Sequence, residues 1–194
     1  KRDRITVDNA PGDAVTVRDE PVAVVPDQPG APNALFVPTL DYTLTLVAEV
    51  TPPTVGDEPL QATAVSFDGQ RAYVSYNMRG EAALGALDVF TFDELRQPHL
   101  VSRATFDDSD VHSVGAIDGR IWIATATSDE KFAAPAVLEG LSVDDQGLIG
   151  LAFHERLPLT SYAATSVAAV GKLIAVTTGN TGGVVANSTL DVVR

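Results

Sequence analysis

From residue 42 onward, hydrophobic positions occur in short runs that are rich in Val, Thr, Ile, Leu and Tyr. The runs are separated by Gly, Asp, Pro and Asn, which are the residues that favour tight turns. No long stretch shows the 3.6-residue periodicity of an amphipathic helix. The pattern therefore predicts an all-β protein built from short strands.

One strand pattern occurs three times, as a basic residue followed by an apolar strand that ends in hydroxyl residues. The basic residues are Arg71, Arg120 and Lys172, which are 49 and 52 residues apart. A turn signal precedes each of them, at Asp68-Gly69, Asp118-Gly119 and Gly171. Because both central residues of a type I′ turn have positive φ, Asp-Gly between two apolar runs predicts a β-hairpin.

Two further sets of strands repeat in step with the first set. One comprises Leu87-Asp88-Val89, Leu141-Ser142-Val143 and Leu190-Asp191-Val192, spaced 54 and 49 residues apart. The other comprises Leu46-Val47, Leu100-Val101 and Leu151-Ala152, spaced 54 and 51 residues apart. Four strands in a fixed order every ~50 residues are typical of a four-stranded propeller blade. We therefore predict a β-propeller-like fold of about three four-stranded units, with a β-sandwich as the alternative.

The order of these strands resembles the LVIVD-type β-propeller repeat. The resemblance is carried by Leu87-Asp88-Val89, Pro98-His99-Leu100-Val101-Ser102, Val114 and Asp118-Gly119, and it covers residues 42–194. Ser142 departs from the repeat, which usually has Asp at that position. The resemblance implies a secreted or surface-attached protein, of a family whose members often have no known activity.

Three units are fewer than the four to eight blades that usually close a propeller. The last unit reaches Arg194 on its third strand, which leaves an unpaired sheet edge. Three arrangements stay open: part of a larger propeller; two copies in a six-bladed ring, with strand 42–50 of each completing the last blade of the other; or an open sheet or sandwich. The partners predicted are other protein chains, either further propeller blades or a second copy.

The first 40 residues differ in composition from the rest, since four of the 12 prolines lie between Pro21 and Pro32. We interpret residues 1–40 as an extended Pro/Asp-rich N-terminal segment and residues 41–194 as the β-propeller repeat region. Forty residues without cysteine rarely hold a core of their own. The chain begins at Lys1 rather than Met, which a cleaved signal peptide would explain.

The charge balance narrows the classes of partner. The 194 residues include 13 Lys and Arg against 26 Asp and Glu, a formal net charge of −13, which argues against nucleic acid and anionic lipid. The absence of cysteine excludes disulfides and thiolate chemistry. No apolar run approaches the ~18 residues of a membrane span. Together with the repeat, the acidic surface predicts an extracellular, periplasmic or cell-surface location.

The densest group of acidic residues is the candidate metal site. Asp107, Asp108 and Asp110 lie in the connection from an outer strand to the next inner strand, and carboxylates packed this closely suit Ca²⁺. A solvated acidic turn is the alternative. His112 begins an inner strand and is the histidine best placed to face a central channel, whereas His99 and His154, in outer strands, are expected to be surface or structural residues.

No catalytic motif is recognisable in the chain. We therefore predict a non-enzymatic extracellular or surface β-propeller that acts as a binding, adhesion or structural scaffold, with no cofactor except calcium at the aspartate cluster. The alternative is a propeller-fold metal-dependent hydrolase, such as a lactonase, with His112 at the channel mouth. Its metal ligands would come partly from blades that are not present in this chain.

Overall fold

The computed structural model describes residues 3–22, 44–69, 71–179 and 188–194. These residues contain β-strands and no helix, which confirms the all-β prediction. In chain order the strands are β1 (Ile5–Asp8), β2 (Val15–Val22), β3 (Leu44–Val50), β4 (Thr54–Val55), β5 (Glu58–Pro59), β6 (Gln61–Asp68), β7 (Arg71–Asn77), β8 (Gly85–Phe92), β9 (Pro98–Phe106), β10 (Ser109–Ile117), β11 (Arg120–Thr127), β12 (Ala136–Val143), β13 (Ile149–Pro158), β14 (Ala163–Val170), β15 (Leu173–Gly179) and β16 (Leu190–Val193).

Three antiparallel sheets follow one another along the chain. The first contains β6 to β9 in sequence order, and β1 adds beside β9. The second contains β10 to β13, and the third contains β14 to β16. Two small sheets pair β2 with β3 and β4 with β5. The described residues do not close into a ring, so the propeller itself stays a prediction.

The hairpin that opens each of the three sheets is the same in register. In the second sheet Ile117 pairs with Arg120 across Asp118 and Gly119, whose φ angles of 51° and 72° fit the predicted type I′ turn. The closing pairs of the first and third sheets are Asp68 with Arg71 and Val170 with Leu173. The residue equivalent to Arg71 and Arg120 is therefore Leu173, and the sequence alignment on Lys172 was wrong by one residue because Lys172 lies in the turn.

A β-bulge occurs at the same place on the first strand of each sheet. The residues left unpaired are Thr63, His112 and Thr165, each five positions before the closing pair of its hairpin. A bulge bends its strand and redirects a side chain. The three bulges show that the three sheets share one pattern of backbone pairing at this position.

The bulge side chains join neighbouring sheets. Thr63 Oγ1 donates to the Val111 carbonyl at 2.8 Å, and His112 Nδ1 donates to the Ala164 carbonyl at 2.9 Å. Val111 and Ala164 each stand directly before the bulge of their own strand. The same bond therefore links the first sheet to the second and the second to the third. His112, which was expected at a channel mouth, lies at this second junction.

The hydrophobic core lies between the stacked sheets. One cluster, which includes Tyr73, Leu87 and Ile121, fills the space between the first and second sheets. Another, which includes Trp122 and Val176, fills the space between the second and third. Tyr73 and Trp122 are equivalent in register and both are buried, which confirms their predicted role in packing.

The third strands also share one register, although the sequence alignment misplaced one of them. Val74 pairs with Asp88, Ile123 with Glu139 and Val176 with Asp191. The match between Leu87-Asp88-Val89 and Leu190-Asp191-Val192 is thus confirmed, but their equivalent in the second sheet is Leu138-Glu139-Gly140. The sequence alignment had placed Leu141-Ser142-Val143 at this position, which is wrong by three residues. Leu138 and Leu141 both begin an apolar pattern on the same strand, so the alignment could start at either.

The strand predicted for residues 42–50 lies outside the three larger sheets. β3 pairs with β2, from Val15 opposite Val50 to Val22 opposite Leu44. Arg18 and Glu49 add an exposed ion pair at 2.6 Å between the two strands. The expected match of Leu46-Val47 with the fourth strands at Leu100-Val101 and Leu151-Ala152 was therefore wrong, because β2 supplies the partner of β3.

Candidate functional site

The first two sheets each carry an ion pair between their third and fourth strands. Asp88 on β8 lies opposite Arg103 on β9 and accepts hydrogen bonds from its Nε and Nη2 at 2.6 and 2.7 Å. Glu139 on β12 lies opposite Arg156 on β13, with Nε and Oε2 3.4 Å apart. Both acidic side chains are fully buried. A buried carboxylate requires such a partner, because desolvation otherwise disfavours its charged form.

The three aspartates predicted to bind calcium have different surroundings. Asp107 is exposed, whereas Asp108 receives hydrogen bonds from Arg4 Nε at 2.7 Å and Ser109 Oγ at 2.8 Å. One carboxylate oxygen of Asp110, Oδ1, is buried and has no hydrogen-bond partner among the described residues. Burial raises the pKa of Asp110, and the charge of His112 opposes that effect. Among the residues that the structure describes, no group of three or more His, Asp or Glu side chains is arranged to hold a metal ion.

Arg4 occupies the place next to this aspartate cluster. It precedes β1 and inserts its guanidinium between the first and second sheets, where Nη1 and Nη2 donate to the two oxygens of Glu139 at 2.6 and 3.1 Å. Nη2 also donates to Ser109 Oγ at 3.1 Å, and the guanidinium stacks on the Phe106 ring at 5.6 Å. The planar fork of arginine suits such a two-point contact with a carboxylate.

His154 and Arg156 complete the set of charges around Glu139. His154 Nε2 lies 2.7 Å from Glu139 Oε1, so this histidine is a partner of a buried acid as well as a surface residue. Arg156 donates from Nη1 to Asp129 Oδ2 at 2.9 Å and stacks over the Phe132 ring at 4.4 Å. We call Arg4, Asp108, Glu139, His154 and Arg156 the Arg4 cluster.

The electrostatics of the Arg4 cluster keep its acids ionised at neutral pH. Burial by itself raises the pKa of Glu139, but hydrogen bonds from His154 and Arg4 outweigh burial and hold that pKa below its ordinary 4.5. Burial likewise raises the pKa of Asp108, and Arg4 and Ser109 outweigh it, so the pKa lies below 3.8. Burial lowers the pKa of Arg4, whereas its bonds to Asp108 and Glu139 raise it further, with a net upward shift. The cluster is therefore a charge-matched anchor that fastens the N-terminal strand to the second sheet.

Sequence reasoning identified Asp108 but missed Arg4, Glu139 and Arg156 as its neighbours. One usable signal was present, because Glu139 stands within the apolar run Ala136–Leu141. A charged residue at a buried position of a strand predicts a buried partner. The identity of that partner is not local, since Arg4 and Glu139 are 135 residues apart in the chain.

The cluster predicts a loss of stability in acid. A group whose pKa is lowered by folding contributes stability above its unfolded pKa and loses it as the pH falls through the folded value. Protonation of Glu139 and Asp108 should therefore lower the free energy of unfolding below about pH 4.5. Asp88 and Asp110, whose pKa values burial raises, contribute with the opposite sign, so the effect is measured as the difference from Glu139→Gln. Urea unfolding at a series of pH values measures this decrease. In Glu139→Gln the decrease should be smaller, and equal pH dependence in both proteins would contradict the assignment.

A separate cleft of about 500 Å³ opens between the second and third sheets. Its lining includes Asp118, Arg120, Glu155 and Lys172, together with Trp122. The Arg120 guanidinium stacks over the Phe153 ring at 4.2 Å. Because both acidic and basic side chains line this cleft, its charge does not select a ligand of one sign.

No helix that is long and apolar enough to cross a membrane occurs among the described residues. Comparison with known protein families, with curated proteins and with solved structures gives no significant match.

Proposed function

We propose that the protein is a non-enzymatic scaffold of the β-propeller type that binds other protein chains through the two end faces of its stack of sheets. One observation carries the proposal: side chains that are buried between sheets inside the stack have exposed equivalents at both ends. Together with the acidic surface and the resemblance to the LVIVD-type repeat, it supports an extracellular or cell-surface binding role.

The first end face is the outer side of the third sheet. Leu87 and Val89 are fully buried against the second sheet, and Leu138 is fully buried against the third. Their equivalents on β16 are Leu190 and Val192, which are 66% and 61% exposed. The third sheet thus presents the same apolar positions that its neighbours use for packing.

The second end face is the outer side of the first sheet. Val114 and Val167 are buried by the preceding sheet in each case. Their equivalent Val65 is 58% exposed, and Phe67 on the same strand is 66% exposed. The first sheet therefore lacks, within the described residues, the cover that its two neighbours have.

The polar groups of the two end faces are complementary as well. Thr165 is the equivalent of Thr63 and His112, which donate across the two internal junctions, but its hydroxyl bonds to the Thr177 carbonyl of its own sheet at 3.1 Å. On the first sheet, Ala62 stands directly before the bulge, as Val111 and Ala164 do on theirs. The Val111 and Ala164 carbonyls accept the hydrogen bonds of the two internal junctions, and Ala62 offers the equivalent carbonyl. A second copy of this chain supplies the missing cover, with its first sheet against the third sheet of the other copy.

The metal-dependent hydrolase alternative has no comparable support. Asp108 is engaged by Arg4, and His112 bonds to the Ala164 carbonyl at the junction of two sheets. A melting temperature that rises on addition of CaCl₂ would revive that alternative.

Analytical ultracentrifugation over a range of concentrations tests the proposal. We expect the unmodified protein to self-associate reversibly, and either Leu190→Glu or Phe67→Glu to shift it to the monomer, because each places a charge in an apolar contact. Val17→Glu is the matched control, since Val17 is 53% exposed on β2, which pairs with β3 in a sheet separate from the two that carry the end faces. A protein that is monomeric at every concentration, or that responds equally to all three substitutions, would overturn the proposal.

A further inference from the structure

The third sheet carries an acidic residue in the register position that its neighbours use for an ion pair. Asp88 lies opposite Arg103 and Glu139 lies opposite Arg156, in each case across the third and fourth strands. Asp191 on β16 is their equivalent, but β16 is the edge strand of its sheet and no described strand lies beside it. The repeat thus provides half of an acid–arginine pair at a sheet edge that no described strand covers.

We infer that the outer edge of β16 is a binding site for an extended segment that carries an arginine opposite Asp191. The inference rests on the proposed function in one respect, because it treats the third sheet as a unit of the same repeat. It concerns the edge of that sheet, whereas the self-association proposed above concerns its face.

The carboxylate of Asp191 is already held in place by its neighbours. Thr189 Oγ1 donates to Asp191 Oδ2 at 2.6 Å, and the Thr189 backbone N–H donates to Thr178 Oγ1 at 3.0 Å. A carboxylate has about four acceptor sites, and one hydrogen bond leaves room for a two-point contact with a guanidinium. The described residues place no Lys, Arg or His in an ion pair with Asp191.

The chemical groups along the edge of β16 indicate which kind of segment binds there. Unpaired backbone N–H and C=O groups of an edge strand bind an extended peptide by continuing the sheet. An arginine satisfies Asp191 better than a lysine, because its planar fork matches both carboxylate oxygens. The net charge of −13 adds a general attraction for a cationic segment.

The chain itself supplies a suitable probe, because β9 is the strand that fills this position in the first sheet. A fluorescent peptide with the sequence of residues 98–106 is titrated into the full chain, and binding is followed by fluorescence anisotropy. We expect saturable binding that Asp191→Asn weakens about tenfold, because the charge-assisted contact is lost. A peptide in which Arg103 is replaced by Gln should be weakened equally, and it should show little further loss with Asp191→Asn.

A charge exchange and a control variant make the test specific. The Asp191→Arg protein should bind a peptide with Arg103→Asp more tightly than it binds the unmodified peptide. Circular dichroism verifies that each protein variant is folded. The same titration in Phe67→Glu, which alters one end face and leaves β16 intact, separates the two proposals. Peptide binding in that variant supports the edge site even where self-association fails. No binding, or binding of equal strength to Asp191→Asn, would overturn the edge site and leave the end-face proposal standing.

Discussion

Glu139→Gln is expected to lower the free energy of unfolding by about 3–5 kcal/mol, the usual cost of breaking a buried ion pair by removing one partner. The substitution keeps the shape of the side chain but removes the charge that Arg4 and Arg156 share. Both guanidiniums are largely withdrawn from water, so neither recovers its full hydration when the carboxylate is lost. Urea unfolding at neutral pH, followed by circular dichroism, measures the change.

Glu49→Gln provides the matched control for this substitution. Glu49 also pairs with an arginine at 2.6 Å, but both side chains of the Arg18–Glu49 pair are substantially exposed. Exposed pairs contribute about 0–1 kcal/mol, so this variant should unfold almost as the unmodified protein does. If both substitutions cost the same, burial of Glu139 has no energetic consequence and the anchoring role of the Arg4 cluster is wrong.

Gly85→Ala is expected to destabilise the protein by about 1–3 kcal/mol through overpacking at the junction of the first two sheets. A Cβ at this position would stand 2.5 Å from the Ser109 carbonyl oxygen and 2.7 Å from Val111 Cγ2. The nearest atom belongs to backbone, so no simple rotation of a side chain relieves the clash. A shift of β10 would also disturb the Val111 carbonyl that accepts from Thr63.

Gly12→Ala separates this local clash from the general effect of replacing glycine. No atom of the described residues lies within 4 Å of a Cβ at Gly12, and its backbone does not require a positive φ. Alanine there should leave stability unchanged or raise it by up to about 1 kcal/mol, because it restricts the unfolded chain. Thermal melts of the two variants give the comparison, and a loss of stability in Gly12→Ala equal to that in Gly85→Ala would refute the packing explanation.

The parts of the fold that sequence predicted are those set by local chemistry. Asp118 and Gly119 specify their hairpin through their own conformational preferences, and the apolar runs on either side give the two strands. The three-fold recurrence of these signals predicted three consecutive sheets. Turn preferences act over a few residues, which is why a single sequence carries them.

The register of the third strands was harder to predict because apolar residues recur along them. Leu138 and Leu141 are both buried, so residue type alone does not distinguish which one is equivalent to Leu87. Backbone pairing decides the matter by placing Glu139 opposite Ile123. A shift by an odd number of residues exchanges the two faces of a strand, which is why the ion pair of the second sheet was missed.

The candidate site depended on contacts that no short motif contains. Asp108 was found because three acids stand close together in sequence, but its partner Arg4 is 104 residues away. The acidic cluster suggested a cation, and the cation present is a guanidinium from the same chain. The acidic residues thus indicated that a positive charge lies beside them, but not that Arg4 supplies it.

The recurring bulge gives the stack of sheets a direction. At each junction the donor belongs to the earlier sheet and the acceptor to the later one. Two third-sheet faces brought together would set donor against donor, and two first-sheet faces would set acceptor against acceptor, so the proposed self-association is favoured head to tail. In such a heterologous assembly, the rotation between successive sheets decides whether copies close into a ring or continue as a filament. The donor–acceptor direction at the Thr63 and His112 junctions therefore makes a ring or a filament, rather than a symmetric pair, the expected form of the proposed assembly.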